Sequence, residues 1–225
     1  WILEYWAKKL DIFMPFFPVA QMERINNIWE IAIAKYYADI FSLLPTWSSS
    51  KTTIHIFDIH ALPVRFYFDN FKVNIELLSA MNLIKKIIAK ETIIAFPDEW
   101  AFKRFSKDFE EYEKIICFKI RKNDKKEIVI KEWNPKNKDL LIVDDLIQSG
   151  WTIIETVKLL KRLWANKVSA FATHWVFPNN AHIEVAKNLD NLYVSDSIPE
   201  NINREKDAEN MIVLNLCELI KSKIC

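Results

Sequence analysis

A single glycine, Gly150, is present in the 225 residues of this chain. Average usage would give roughly 16, and glycine is the residue that tolerates a left-handed backbone and a close approach of main chain. Nine tryptophans are present. Several stand in positions typical of turns: Trp47, Trp133, Trp151 and Trp164. Trp164 lies between a predicted helix, 152–163, and a predicted strand, 167–173, where a helix cap favours glycine.

We interpret most of these tryptophans as positions that carry glycine in the functional protein. A codon read here as tryptophan, and by the organism as glycine, would produce the pattern. Swapping all nine would bring the glycine content closer to its ordinary share. A chain that is genuinely rich in tryptophan is the alternative, and the nucleotide sequence of the gene decides between the two.

Composition excludes several classes of function. Lysine and arginine total 31 and aspartate and glutamate 30, so no overall field recruits nucleic acid or an anionic membrane. The apolar runs are too short to span a bilayer, and no signal peptide is readable at the start. The three cysteines, Cys117, Cys217 and Cys225, are odd in number and lack metal-ligand spacing. These features predict a reduced, cytoplasmic protein with neither nucleic acid nor membrane as a partner.

Strand-like and helix-like segments alternate along the chain. Apolar runs predict strands at 10–17, 53–59, 92–96, 139–143 and 167–173. Helical periodicity is found at 30–44, 76–89, 152–163 and near 179–188. A charged hairpin is predicted between 115–118 and 127–130. The alternation predicts an α/β fold with a parallel sheet covered on both faces, whose ligands bind beyond the carboxyl ends of the strands.

One strand end combines acidic residues with a glycine turn. The apolar run 140–143 leads into Asp144 and Asp145, and the turn that follows opens a helix. The turn consists of Gln148, Ser149, Gly150, Trp151 and Thr152. Two carboxylates can accept hydrogen bonds from the hydroxyls of a ribose, and a helix N-terminus offers N–H groups and its dipole to a phosphate. The pattern predicts a sugar-phosphate site; the alternative is that the aspartates and Ser149 only cap a turn and a helix.

This segment closely resembles the ribose-phosphate diphosphokinases (PRPP synthetases), most of all their divergent plant-type branch. Further segments that carry the resemblance are 15–24, 57–62, 96–105, 119–121 and 168–178. The acidic glycine turn alone is shared by type I phosphoribosyltransferases, and the ordered set of motifs narrows the resemblance to the synthetases. Where that family carries glycine, this chain has Trp100, Trp151, Trp164 and Trp175.

The resemblance implies two type I phosphoribosyltransferase-like lobes with mainly parallel sheets. The first lobe, 1–75, is expected to be incomplete, because the family's amino-terminal part is missing. The second, 76–205, is expected to bind ribose 5-phosphate. Residues 206–225 are expected to form a strand and a helix that can return to the first lobe. The resemblance also implies a homo-oligomer.

The resemblance implies transfer of diphosphate from ATP to ribose 5-phosphate, with Mg²⁺ present, to give PRPP and AMP for nucleotide biosynthesis. Asp144 and Asp145 would hold the ribose, and 148–152 the 5-phosphate. His60 and Asp98 match magnesium-associated positions; a structural histidine and a turn aspartate are the alternatives. Lys119 and Arg121 match cations that stabilise the transferring phosphates, although such a charged stretch is usually a solvated hairpin.

Two departures from the family pattern bear on activity. The ATP-contacting positions are Gln21, Met22 and Arg24, and the first two replace a typical Arg-Gln pair, which predicts altered nucleotide binding. A literal Trp151 would put an indole where backbone must approach phosphate, which predicts that the chain as written is inactive. Two other functions remain open: a type I phosphoribosyltransferase that consumes PRPP, and a non-catalytic synthetase-like regulatory subunit. An assay of AMP release from ATP and ribose 5-phosphate separates the diphosphokinase from the phosphoribosyltransferase, and a complete protein with glycine at 100, 151, 164 and 175 that still makes no PRPP would support the regulatory subunit.

Overall fold

The computed structural model describes residues 9–19, 21–25, 27–44, 51–122, 125–130 and 135–224. The chain forms two compact units, Trp1–Ser79 and Ala80–Cys225. The predicted lobe boundary after residue 75 falls inside a strand, Val73–Leu78, that pairs with the strand before it. The lobe boundary after residue 75 stays a prediction, while the compact units divide after Ser79.

The first unit contains a three-stranded parallel sheet. Its strands are β1 (Asp11–Met14), β2 (Thr52–Phe57) and β3 (Val73–Leu78), in the order β1-β2-β3. Helix α1 (Ile33–Ser42) and a 3-10 helix, Leu62–Tyr67, accompany the sheet. Ala34 and Ala38 of α1 are fully buried in one core with Ile54 and Ile56 of β2. Their small side chains let the helix approach the sheet closely.

The second unit contains a seven-stranded sheet in the order β10-β9-β8-β7-β4-β5-β6. The strands are β4 (Ile93–Phe96), β5 (Lys114–Lys122), β6 (Lys125–Ile130), β7 (Asp139–Ile147), β8 (Lys167–Trp175), β9 (Leu192–Ser195) and β10 (Met211–Leu214). The helices are α2 (Met81–Lys85), α3 (Glu99–Phe105), α4 (Trp151–Arg162), α5 (Ala181–Asn188) and α6 (Cys217–Ile224). Neighbouring strands are parallel except for the hairpin of β5 and β6. The predicted α/β fold with mainly parallel sheets is confirmed.

The central strands are buried on both faces. All four residues of β4 are buried, as are Leu140–Val143 in β7. Helix α4 buries Ile153, Val157 and Leu160 against this sheet, at the spacing expected of one helical face. Continuous apolar runs in the sequence therefore correspond to strands that are covered by helices on either side.

The helix predicted over 76–89 is wrong. Residues up to Leu78 form β3, whose alternating Val73, Ile75 and Leu77 match the period of a strand. Pairing with β2 supplies the backbone hydrogen bonds that decide for a strand. Only the short helix α2 follows.

The carboxyl-terminal segment 206–225 belongs to the second unit. Strand β10 pairs in parallel with β9 from Met211 to Leu214 and completes one edge of the sheet. Glu218 of α6 forms an ion pair with Lys86 at 3.0 Å. A return of this segment to the first lobe stays a prediction from the resemblance.

Helix α4 ends in a left-handed cap at Trp164. The backbone of Trp164 has φ of +63°, and its side chain is 74% exposed. Its N–H donates to the Lys161 carbonyl, and the N–H of Ala165 donates to the Leu160 carbonyl. This pair of bonds is the Schellman motif, whose left-handed position glycine usually fills.

Among the helices of the described residues, none combines the length and the apolar character needed to cross a bilayer.

Candidate functional site

The two aspartates lie in β7 itself, which runs to Ile147 and so extends beyond its predicted end at 143. The N–H of Asp145 donates to Asp144 Oδ1 at 2.9 Å. Burial raises the pKa of Asp144 well above its usual range, and the charges of Asp145 and Asp98 raise it further. A polar ligand that hydrogen-bonds these carboxyl groups would recover part of the free energy lost when they leave water.

The turn after β7 is shaped by Gly150, whose φ is +77°. Its carbonyl accepts the first bond of α4, from the N–H of Ile154, at 2.9 Å. A Cβ at this position would stand 2.1 Å from Val185 Cγ2, so α5 leaves no room for any other residue. Gln148 and Ser149 are exposed and Thr152 is half-buried. The turn therefore presents the N-terminus of a twelve-residue helix to solvent, beside the acidic strand end.

Trp151 is the first residue of α4, and its side chain is 42% exposed. Its N–H lies 3.5 Å from Ser149 Oγ, at the long limit of a hydrogen bond. The indole of this chain thus stands at the mouth of the turn, where a glycine would leave backbone open to a ligand.

Asp98 follows β4, the strand next to β7 in the sheet. It is the N-cap of α3, and its Oδ1 accepts a hydrogen bond from the Ala101 N–H at 3.0 Å. It also lines a cavity of about 430 Å³ together with Glu99, Trp100, Lys103, Cys117 and Phe118. Burial raises the pKa of the Cys117 thiol to about 12, and the Asp98 charge adds to that rise. Asp98 therefore both caps a helix and faces a cavity at the ligand-binding edge of the sheet.

Lys119 and Arg121 lie in β5, in the hairpin with β6. Lys119 pairs with Ile128 and Arg121 with Lys126. The hairpin extends two neighbouring strands of the sheet, and its strands are longer than the segments predicted from sequence. The two cations are thereby placed on the strand that pairs with β4.

The remaining predicted site residues belong to the first unit. His60 is half-buried just beyond the end of β2, after Asp58, a buried residue with φ of +36°. Gln21 and Met22 are exposed, and Arg24 forms an ion pair with Glu23 at 3.3 Å. In the second unit the charge of Asp98 acts on Asp144, and Asp144 and Asp145 lie in the strand that leads into the turn 148–152. Across the part of the chain that is described, no group of three or more histidine, cysteine and acidic residues could hold a metal ion on its own.

A buried polar cluster at the ends of β8 and β9 was not predicted. Ser195 Oγ and Ser197 Oγ both donate to the Thr173 carbonyl, at 2.6 and 2.9 Å. Because the Ser197 hydroxyl hydrogen is used there, His174 Nδ1 donates to Ser197 Oγ at 2.9 Å. His174 is paired with Leu146 in the sheet register, next to the acidic strand end. The signal in the sequence is the set of polar residues that ends two apolar runs.

The chain is similar to curated proteins in sequence and to a solved structure in fold. No family model matches the chain. Ribose-phosphate pyrophosphokinase 3, chloroplastic, of Oryza sativa subsp. japonica is 35% identical over 227 residues, which cover 95% of this chain and 55% of that protein. Ribose-phosphate pyrophosphokinase 4 of the same organism is 36% identical over 217 residues, covering 90% of this chain and 66% of that protein. The chain thus spans between half and two thirds of these curated relatives.

The fold also matches a solved structure. The crystal structure of phosphoribosylpyrophosphate synthetase from Mycobacterium smegmatis aligns with a TM-score of 0.77 at 21% identity, covering 97% of this chain and 71% of that one. At this identity the match concerns the fold, which is the phosphoribosyltransferase-like α/β fold expected from the sequence.

Proposed function

Because this chain belongs to the ribose-phosphate pyrophosphokinase family, we propose that its second unit binds ribose 5-phosphate and that the complete protein transfers diphosphate from ATP to that sugar. The products would be PRPP and AMP. The observation that carries the proposal is the junction of β7 and α4, where Asp144 and Asp145 adjoin a helix N-terminus opened by Gly150.

The two aspartates of this junction suit the ribose of the sugar phosphate, and the turn that follows them suits its 5-phosphate. The carboxyl groups of Asp144 and Asp145 would accept hydrogen bonds from the ribose hydroxyls. The turn 148–152 would receive the 5-phosphate through backbone N–H groups, two hydroxyls and the positive end of the α4 dipole. A phosphate bound there would be held apart from the carboxylates by the length of the ribose, which limits repulsion between like charges.

The proposal assigns Asp98 and His60 to Mg²⁺. The charges of Asp98 and Asp145 both raise the pKa of Asp144, so the carboxylates repel one another and a divalent cation on Asp98 would relieve that repulsion. Magnesium is commonly held by one or two carboxylates together with substrate phosphates, which fits a site without a preformed metal cluster. When bound, the ion would neutralise charge on the phosphate oxygens of ATP.

Diphosphate transfer is catalysed mainly by positioning and electrostatic stabilisation. We assign the stabilising charges to Lys119 and Arg121 on the β5–β6 hairpin. Gln21, Met22 and Arg24 in the first unit are the proposed contacts to ATP. Each of these five assignments rests on the resemblance of the surrounding motif.

We further propose that the complete protein is a homo-oligomer located in the cytoplasm, where it feeds nucleotide biosynthesis. The free thiols of Cys117 and Cys217 support a reducing compartment. Light scattering of the complete protein tests the oligomer, and fractionation of the source cells tests the location.

A non-catalytic, sugar-phosphate-binding subunit is the second candidate. The observation that favours it is the exposed indole of Trp151 at the mouth of the proposed phosphate turn. AMP release from ATP and ribose 5-phosphate by the complete protein separates the two functions. Sugar binding without AMP release, with glycine at 151, would support the second candidate.

Binding is tested by calorimetry with ribose 5-phosphate on this chain and on its Trp151→Gly variant. The expected result is that the Trp151→Gly variant gives heat with ribose 5-phosphate. Asp144→Ala in the same background should abolish that heat. The matched control is Asp139→Ala, because Asp139 is an exposed residue at the opposite end of β7. No heat with Trp151→Gly would contradict the proposal, and turnover of PRPP with a nucleobase would point to a phosphoribosyltransferase.

A further inference from the structure

The segment that follows β8 has an unusual backbone. Phe177, Asn179 and Asn180 all have positive φ, at 44°, 55° and 60°. Phe177 is fully buried, between the end of β8 and the 3-10 helix Pro178–Asn180. Asparagine tolerates the left-handed region better than most residues with a Cβ, but a phenylalanine there is strained, so surrounding contacts must hold Phe177 in place.

Residues 175–177, here called the strained turn, are hydrogen-bonded directly to residues 148–152, here called the phosphate turn. The N–H of Val176 donates to the Ile147 carbonyl at 3.0 Å, and the N–H of Phe177 donates to the Gln148 carbonyl at 3.1 Å. The ring of Phe177 also lies 3.6 Å from the position that a Cβ on Gly150 would take. The backbone of the phosphate turn therefore rests on the strained turn.

Side chains of the 3-10 helix Pro199–Asp207, here called the brace, hold the strained turn from its other side. Asn201 is buried, and its Nδ2 donates to the Trp175 carbonyl at 2.7 Å. Arg204 Nη1 donates to the carbonyls of Val176 and Phe177, at 3.2 and 3.1 Å. Three successive carbonyls are thus held, two of them by a charged donor, which makes the stronger kind of hydrogen bond.

The brace has two further attachments. Asp207 Oδ2 lies 3.1 Å from Nε2 of the fully buried His182 in α5. Val185 of the same helix is the residue that closes on Gly150. At its other side the brace joins the sheet, because Glu205 accepts a hydrogen bond from the Val213 N–H of β10 at 3.1 Å. The brace therefore contacts both supports of the phosphate turn and is itself anchored to the sheet edge.

From this chain of contacts we propose that Arg204 is a positioning residue for sugar-phosphate binding, acting through the carbonyls of Val176 and Phe177 on the turn 148–152. The identity of the ligand rests on the proposed function, whereas the contacts between the brace and the two turns do not depend on it. Arg204 does not contact the ligand in this proposal. It keeps the backbone N–H groups of the phosphate turn in the arrangement that an anion requires.

The test compares Arg204→Ala with Arg204→Lys and with the control Arg162→Ala, all in the Trp151→Gly background. Arg162 is an exposed arginine near the end of α4 and has no part in these contacts. Calorimetry with ribose 5-phosphate should show affinity weakened about tenfold or more by Arg204→Ala, the scale expected for losing charge-assisted bonds. Arg204→Lys should recover part of the loss, and Arg162→Ala should match the parent.

Hydrogen exchange separates failure of this inference from failure of the proposed function. Arg204→Ala should speed exchange of the amides at 147–152 and 176–177, while those at 140–143 keep their protection. Faster exchange without any ribose 5-phosphate binding by the parent would support the brace and contradict the proposed function. Unchanged exchange and unchanged affinity would overturn the inference, as would equal weakening by Arg162→Ala. If Arg204→Ala does not fold, Arg204→Lys alone decides by the same two measurements.

Discussion

The backbone N–H of Trp164 donates a hydrogen bond to the carbonyl of Lys161 at 3.1 Å while Trp164 itself has φ of +63°. A helix ends here in the geometry that glycine usually supplies, yet the residue present is the largest of all. The indole is 74% exposed, so little burial offsets the strained backbone. The structure thereby supports, at this position, the interpretation that tryptophan stands where the functional protein has glycine.

Trp164→Gly is expected to stabilise the chain by about 1 kcal/mol. The left-handed conformation costs a residue with a Cβ roughly 1–2 kcal/mol. Glycine loses more chain entropy on folding, which offsets about 0.5–1 kcal/mol of the gain. Urea unfolding measures the change. Trp29→Gly is the control, because Trp29 is 92% exposed and is not among the residues with positive φ. Equal stabilisation by both variants would show that loss of an exposed indole, rather than the backbone, is responsible.

The gene is expected to carry the same codon at 151 and 164, and not the ordinary tryptophan triplet. Protein purified from the source organism should then show peptides with glycine at both positions by mass spectrometry. At Trp175 the structure gives no such support for glycine, because the ring is fully buried and its Nε1 donates to the Ser195 carbonyl at 2.8 Å. Tryptophan at 151 and 164 in the native protein would reject the interpretation.

Sequence patterns predicted the elements that depend on local residues. The buried strands and the amphipathic helix α4 followed from apolar spacing, and the turn at Gly150 followed from its composition. The strand Val73–Leu78 was missed because its pairing with β2 is not local. The brace was missed for a similar reason: Asn201 and Arg204 have no motif around them, and their importance comes from carbonyls more than 20 residues away in sequence.

Gly150→Ala is expected to destabilise the second unit by about 2–5 kcal/mol. Two causes act together: the φ of +77°, which disfavours a Cβ by about 1–2 kcal/mol, and the 2.1 Å approach to Val185 Cγ2, where overpacking typically costs about 1–3 kcal/mol. Chemical denaturation measures the sum.

A double-mutant cycle with Val185→Ala separates the two causes. Val185→Ala removes the clashing methyl group, so Gly150→Ala should cost less in that background and retain only the backbone part. Additive effects of the two substitutions would contradict the contact between Gly150 and Val185.

The two described cysteines are expected to differ sharply in reactivity. Cys217 is exposed, whereas Cys117 is buried and its pKa is raised to about 12. Because the thiolate is the reactive form, a thiol reagent near pH 8 should label the peptide containing Cys217 and leave that containing Cys117 until the protein unfolds. Rapid labelling of Cys117 in folded protein would show that the cavity beside Asp98 is open to the reagent.

Asp144→Asn is expected to stabilise the protein at neutral pH while it removes sugar binding. The folded-state pKa of Asp144 is raised above the ordinary value, first by burial and then by the charges of Asp145 and Asp98. The native state therefore holds a proton that the unfolded chain releases, and stability falls as pH rises from about 4 through the raised pKa. Asparagine keeps an acceptor for the Asp145 N–H but carries no charge, so the variant should lose less stability over this range.

Melting temperatures measured between about pH 4 and 7 without divalent cations test this expectation. The Asp144→Asn variant should show the shallower decline and melt a few degrees higher at pH 7, the scale of roughly 1 kcal/mol in a protein of this size. Asp139→Asn, at the exposed start of the same strand, should follow the parent throughout. Parallel curves for Asp144→Asn and the parent would mean that Asp144 is not strained by its neighbours. In that case folding would cost the carboxyl groups no solvation free energy that a ligand could recover. The argument from Asp144 for a sugar at the end of β7 would then fail.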